Sequence, residues 1–396
     1  MLDGPARTPA IEALGRALAW ALAEGKQVPG VISTVDLERL SEALRGGPFA
    51  PELYPKLRLF VQIVWRIELP PGVPSCTLGD ALEAIAELDA ALPAWPFEPE
   101  VEPVSFRALG YAENAAGLDR AYRSHRAGWD AHGERSRRFI RAAFSAVRGR
   151  DVVWILGAGR AYDLPLQDLA ERFQKVVLVD IDREALGETV ASVDPSLRAR
   201  LEPVAADVTG IAATWRARTL AAVRDAKDAR DAAERVYALA RRYVVAEEHP
   251  WRFLGARPDL IVSQMLLSQL NDPLERYQRR VFEERFGVPP FELHAGLRVA
   301  NMLFAHRLQH DHVSFLRRHA AAAVLTSDVA EQLVTPGGGP EAEGDELLLL
   351  GAYRLAERIP RALEIAERDE WHWARAAGSR LRVDALLLRR PRQTGG

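Results

Sequence analysis

The sequence predicts an α/β protein: a mainly parallel sheet with helices on both faces, preceded by an all-helical N-terminal domain. Three observations carry that prediction. From Val152 onward, short apolar runs alternate with amphipathic helical stretches, the pattern of βαβ units. The first runs, "VVWIL" and "KVVLVDI", are apolar and rich in β-branched residues, as strands covered on both faces must be. Residues 8–92, in contrast, read as helical.

Composition bounds the function classes. The chain has 396 residues, enough for one large domain and an accessory one. Hydrophobic residues make up 48% and charged residues 27%, the balance of an ordinary soluble globular protein. The net charge of −3 gives no electrostatic case for a nucleic-acid or anionic-membrane partner, and pairs such as Arg137 and Arg138 have acids nearby. A single cysteine, Cys76, excludes an internal disulfide framework and a multi-cysteine zinc site. A reducing, cytoplasmic location is expected. The segment "MLDGPARTPA" lacks a basic stretch followed by an apolar core, so no signal peptide is expected. No apolar run reaches the length of about 18 residues that a membrane span needs.

The N-terminal elements come first. "TPAIEALGRALAWALAEG" offers Thr8 as cap, Pro9 at the first helical position and Glu12 in the first turn. "STVDLERLSEALRGG" repeats this logic, with Ser33 or Thr34 as cap and Gly46-Gly47 as stop. "PELYPKLRLFVQIVWRI" and "TLGDALEAIAELDAAL" complete a helical accessory domain at 1–92. It carries no chemistry of its own. Homodimerisation through these helices, substrate capture and simple packing all remain open. Residues 93–104, with four prolines and three acids, read as a linker. The second domain, 105–396, opens on an Arg-rich helical lead-in.

The segment "VVWILGAGRAYDLPLQDLAERF" places a glycine turn between strand and helix. Gly157 and Gly159 permit a tight turn and close approach of backbone to a ligand. Asp163 is the expected helix N-cap, with Pro165 in the first turn. Leu166, Leu169, Ala170 and Phe173 share one apolar face. The amides of the turn and helix start, Ala158 among them, then face the mouth of the sheet. "VVLVD" ends in Asp180, placed to accept from both hydroxyls of a ribose, while Asp182 is expected to cap the next helix. "VAADV" puts Asp207 at the end of the third strand, where a carboxylate can accept from an adenine amino group. "DLIVSQ" ends the fourth strand in Ser263 and Gln264, at the switch point of an open α/β sheet.

This order (glycine turn, acid, second acid, polar-ended fourth strand) resembles the class I methyltransferase family, which binds S-adenosylmethionine. The resemblance covers residues 105 to 392. It implies a seven-stranded, Rossmann-like sheet closed by an antiparallel final strand, for which "LRVDALLLRR" is the candidate. It places Gly157 and Gly159 against the methionine part of the cofactor, Asp180 on the ribose and Asp207 near adenine. Ser263 and Gln264 then face the transferred methyl. Two positions depart from the family pattern. Ala161 stands where a third glycine is common, and Ile155 stands where an acid often precedes the turn. The cofactor's amino group is then left to backbone carbonyls or to Asp163. A nicotinamide cofactor is disfavoured because Tyr162 occupies the position where its fingerprint needs a small residue.

The expected function is methyl transfer from S-adenosylmethionine to a small-molecule or peptide acceptor. The alternative is a non-catalytic cofactor-binding scaffold or regulatory pseudoenzyme. Methyl transfer leans on positioning, so a general base is optional. The candidates for one are Glu247, Glu248 and His249 in "AEEHPWRF", and His294 in "FELHAGLRV". Residues 211–250 read as a charged helical insertion, either a lid or a plain hairpin. In "HRLQHDH", His306 and His310 have zinc-like spacing but no third ligand, so no metal is expected. Residues 335–346 read as a flexible loop. Trp371 and Trp373 pack the last strands or line a pocket.

Overall fold

The computed structural model describes residues 34–44, 53, 56, 97–241, 257–294, 297–333, 346–348, 363–376 and 379–390. The helices read at 8–25 and 77–92, most of 51–67, the candidates Glu247, Glu248 and His249, and nearly all of the 335–346 loop lie outside them. So do the side chains of His306 and His310.

Among the described residues, eight strands form one sheet. β1 (Val152–Leu156), β2 (Lys175–Asp180), β3 (Leu201–Ala205), β4 (Leu260–Ser263) and β5 (Ala322–Leu333) are followed by β6 (Glu346–Leu348), β7 (Glu364–Ala376) and β8 (Ser379–Arg389). Their spatial order is β3-β2-β1-β4-β5-β8-β7, with β6 paired to the end of β5. The first five strands are parallel, and β8 runs antiparallel between β5 and β7. "LRVDALLLRR" is therefore the antiparallel final strand. The path holds seven strands, as the resemblance implied; β6 is a short eighth beside it. β2 and β3 add on one side of β1, whereas β4 and β5 add on the other. The switch point falls between β1 and β4, where Leu156 lies level with Val179 on one side and with Ser263 on the other.

Each face of the sheet is covered. α4 (Arg126–Ala143), α5 (Leu166–Arg172) and α6 (Arg183–Ser192) bring Trp129, Phe139, Ile140, Leu169, Ala170 and Leu186 onto Val153, Ile155, Val176 and Leu178. Alternation along β1 sends Trp154 to the opposite face, where it stacks on Phe315 of α11 (Leu297–His319). All five residues of β1 are buried, which explains why its sequence is apolar without alternation. α4 also lies tightly on β7. A Cβ on Gly128 would come 2.2 Å from the carbonyl oxygen of Ala374, so only glycine allows this approach.

Two local readings are corrected. Asp163 does not cap α5; Pro165 holds the N-cap position, and no side chain caps that helix. Asp207 does not end β3, which stops at Ala205. Asp182 does cap α6, its Oδ1 accepting from the amides of Glu184 and Ala185 at 3.0 Å each.

The chain divides into two compact units. One comprises Met1–Trp95, Arg218–Val244 and Gln278–Arg307; the other comprises Pro96–Ala217, Val245–Tyr277 and Leu308–Gly396. In the first, α1 (Thr34–Leu44) buries Leu37 and Leu40. The second contains the whole sheet. No helix among the described residues is long and apolar enough to cross a membrane.

Candidate functional site

A cavity of about 250 Å³ opens at the C-terminal ends of β1, β2 and β4, at the switch point, within the second unit. Its floor is the glycine turn, Gly157 to Asp163. Asp180, Ile181 and Asp182 line one side, and Gln264, Met265 and Leu266 another. Two helices, α2 (Pro103–Ala108) and α3 (Tyr111–Ser124), contribute Phe106, Tyr111, Asn114 and Asp119. Asp328 of β5, with Trp373 and Arg375 of β7, completes the wall.

The turn is built as its glycines suggested. Gly157 (φ 76°) and Gly159 (φ 44°) are left-handed. A Cβ on Gly157 would lie 3.2 Å from the carbonyl of Gln264, so β1 and β4 approach closely here. Ala161 is also left-handed, at φ 56°, a conformation that costs a residue with a Cβ about 1–2 kcal/mol. The same holds for Met265, at φ 47° just after β4. Both strained residues line the cavity.

Asp180 holds the turn in place. Its Oδ2 accepts from the amide of Gly159 at 2.8 Å and its Oδ1 from the amide of Asp182 at 2.9 Å. Desolvation pushes its carboxyl up to about 6, against the opposing pull of these amides. Each oxygen retains acceptor capacity for a ligand hydroxyl.

Asp163 joins a buried relay instead of capping a helix. Its Oδ2 accepts from the amide nitrogen of Gln264 at 2.7 Å and meets His132 Nε2 at 3.3 Å. On the far side of the ring, Trp371 Nε1 donates to His132 Nδ1 at 3.0 Å. Indole can only donate, so Nδ1 is the acceptor and Nε2 carries the hydrogen that goes to Asp163. Burial raises the Asp163 carboxyl, but the bonds from His132 and Gln264 outweigh it and hold the group below its ordinary value. Gln264 also donates to Ser136 at 2.8 Å and accepts from Thr326 at 3.0 Å.

The other expected residues divide. Ser263 is fully buried, bonded to His312 Nε2 at 2.8 Å, and does not line the cavity. Asp207 does not line it either. Its Oδ2 accepts from the amides of Ile211 and Ala212 at 2.9 and 2.8 Å, and its Oδ1 from Thr209, which caps the start of α7 (Ala212–Arg224). His294 belongs to the first unit, where it stacks on Tyr237 and pairs with Glu234 at 2.9 Å. Trp371 serves the relay, and Trp373 lines the cavity.

Sequence reasoning missed the cover and the far wall. Tyr162 donates to Asp119 at 2.9 Å and stacks on Tyr122, fastening α3 to the turn. Burial and the Asp119 bond push its phenol up to about 12. Arg160 pairs with Asp119 at 2.9 Å and also with Glu188. Asp328 is 3% exposed and accepts from Ser268. Burial pushes its carboxyl up despite that bond. An acid directly after the strand run "AAAVLTS" was the available signal for Asp328. Among the described residues no group of three or more His, Cys, Asp or Glu could hold a metal ion.

No family model and no curated protein sequence matches the chain. Solved structures of methyltransferases do. The N-methyltransferase NodS from Bradyrhizobium japonicum is 14% identical, with 65% of this chain and 95% of that one covered and a TM-score of 0.29. The glycopeptide N-methyltransferase MtfA, complexed with S-adenosylmethionine, is 12% identical over 65% and 94%, with a TM-score of 0.28. The N-terminal domain of EvdMO1, with S-adenosylhomocysteine bound, is 13% identical over 81% and 100%, with a TM-score of 0.30. The strand order, not these scores, carries the assignment of the fold.

Proposed function

We propose that the cavity binds S-adenosylmethionine and that the protein transfers its methyl group to a small-molecule or peptide acceptor. The charge of the cavity carries this reading: five aspartates (Asp119, Asp163, Asp180, Asp182 and Asp328) line it against two arginines, Arg160 and Arg375. That excess of carboxylates suits a sulfonium ligand and repels the pyrophosphate of a dinucleotide. The residues also fit the rest of the cofactor. Asp180 offers acceptors for the ribose hydroxyls, and the left-handed glycines let backbone approach the methionine part. Oδ1 of Asp163 is available to an ammonium group. Once bound, the cofactor supplies an electrophilic methyl. The chain's own part is to hold it in the cavity beside Gln264 and Met265 and to bring an acceptor into line.

A second reading, a cofactor-binding scaffold without catalysis, is favoured by one observation. Ser263 is spent on His312, and Gln264 on Ser136, Asp163 and Thr326, so neither is free to act on an acceptor. Calorimetric titration with S-adenosylmethionine, S-adenosylhomocysteine and NAD tests the shared premise, with Asp180→Ala as control. Saturable binding of the two sulfur compounds, weakened in the variant, supports it. Silence with both sinks it. Release of S-adenosylhomocysteine over an acceptor panel then separates enzyme from scaffold.

A further inference from the structure

The cavity contains two separate sets of opposed charges. One lies at the glycine turn: the carboxylate of Asp163, and Arg160 held by Asp119 and Glu188. The other lies on the wall made by β5 and β7: Asp328 and Arg375. A cofactor with one amino-carboxylate end can satisfy only one set. The turn set adjoins the glycines where backbone approaches most closely, so the second set is left for another molecule.

We infer that the wall formed by Asp328, Trp373 and Arg375 is the acceptor subsite, and that it takes a zwitterionic amine: an amino acid or a compound carrying the same pair of charges. The inference rests on the proposed cofactor site and names the substrate class for it. Three observations support it. Asp328 is 3% exposed, and among the described residues its carboxylate accepts from the hydroxyl of Ser268 and from its own backbone amide, with no cation bonded to it. An ammonium group would supply that cation. Arg375 has no carboxylate partner among the described residues; its guanidinium lies 5.8 Å from the ring of Trp373. It can therefore take the ligand's carboxylate. Trp373 is 5% exposed and lines the same wall, which gives the subsite an apolar, largely desolvated face beside the two charges. The raised carboxyl of Asp328 agrees with a site that gains from a cation, since the residues that now lower it, Ser268, Arg375 and His132, do not bring it back to its ordinary value.

The wall takes shape from the fold. The register between β5 and β8 shifts between Asp328 and Ala330, a bulge that re-aims side chains at this point of the strand. Ser268 sits in the short helical turn Leu267–Gln269 after β4, so its bond to Asp328 ties the switch-point loop to the same wall.

The test is binding, read by calorimetry on the full chain with and without saturating S-adenosylhomocysteine. The probes are the twenty standard L-amino acids and β-alanine. For the tightest binder, its amide removes the carboxylate and its 2-hydroxy acid removes the ammonium. We expect saturable binding of at least one zwitterion, about tenfold weaker for each analogue. Asp328→Asn, which keeps an acceptor for Ser268, and Arg375→Met are each expected to weaken the zwitterion about tenfold and to weaken S-adenosylhomocysteine markedly less. Thermal melting confirms that each variant is folded, and Arg375→Met stands in if Asp328→Asn is not. No binding of any probe overturns the subsite. A parallel loss of S-adenosylhomocysteine affinity in both variants also overturns it, because the wall would then hold the cofactor's own amino-acid end. Failure of S-adenosylhomocysteine to bind the unmodified protein, with zwitterion binding intact, would instead remove the cofactor reading and leave the subsite standing.

Discussion

Asp180 does two jobs with one carboxylate: it orders the glycine turn through Gly159, and it presents acceptor lone pairs to the cavity. Its pH behaviour follows. Burial raises its carboxyl to about 6, above the unfolded value. The group therefore favours the folded state in its protonated form, and this contribution is lost as pH rises through about 6. A ligand whose hydroxyls donate to Asp180 stabilises the ionised form. S-adenosylhomocysteine affinity should then rise as pH climbs from 5 to 7 and level off above; calorimetry across that range checks it, and Asp180→Ala should flatten the slope. Asp163 has the opposite sign. Its carboxyl is held low, so its contribution is present at neutral pH and fades only in acid. Ala161 is a second residue-scale case. Glycine there removes the left-handed penalty of about 1–2 kcal/mol but gives back about 0.4–1 kcal/mol in unfolded-chain entropy. Ala161→Gly should stabilise the protein by up to about 1.6 kcal/mol, measured by urea unfolding. Gly157, Gly159 and Asp180 were legible because local geometry dictates them. Asp163 was misread because its partners, His132 and Gln264, come from other elements.

At the scale of elements, α7 shows how an acid can look like a ligand and act as a cap. Asp207 takes two backbone amides at the start of the helix, together with the amide and hydroxyl of Thr209. Asp207→Ala leaves those buried donors without acceptors and should cost about 1–3 kcal/mol. Because Asp207 does not line the cavity, S-adenosylhomocysteine affinity should change little; a loss as large as that of Asp180→Ala would restore the adenine reading. The seating of α4 on β7 is equally specific. Gly128→Ala should destabilise by about 1–3 kcal/mol through collision with the Ala374 carbonyl, read as a lowered melting temperature. Neither contact was visible in the sequence. Asp207 follows a strand closely enough to pass for its end, and nothing in "RAGWDAHGE" announces which strand will lie beside Gly128.

At the scale of the molecule, a chain of net charge −3 gathers five aspartates around one cavity. The concentration of charge, not the total, bears on the ligand proposed for it. S-adenosylhomocysteine at about 100 times its dissociation constant should add about 2.7 kcal/mol of stability, which raises the melting temperature by several degrees. NAD at the same concentration should leave the melt unchanged. A shift with NAD alone would reverse the choice of cofactor.

Beyond the antiparallel last strand, which the family resemblance implied, the sequence by itself determined the alternation of strands and helices, the glycine turn and the acid at the end of β2. Each follows from short-range rules: apolar period, left-handed turns, and carboxylates at strand ends. Only the tertiary structure decided which polar residues face the cavity and which are consumed inside. Ser263 and Asp207 went to His312 and to helix amides, while Asp328 and Arg375, from distant strands, came to the wall. Side-chain roles are set by competition among partners that the chain brings together from far apart, and local pattern carries no record of who those partners are.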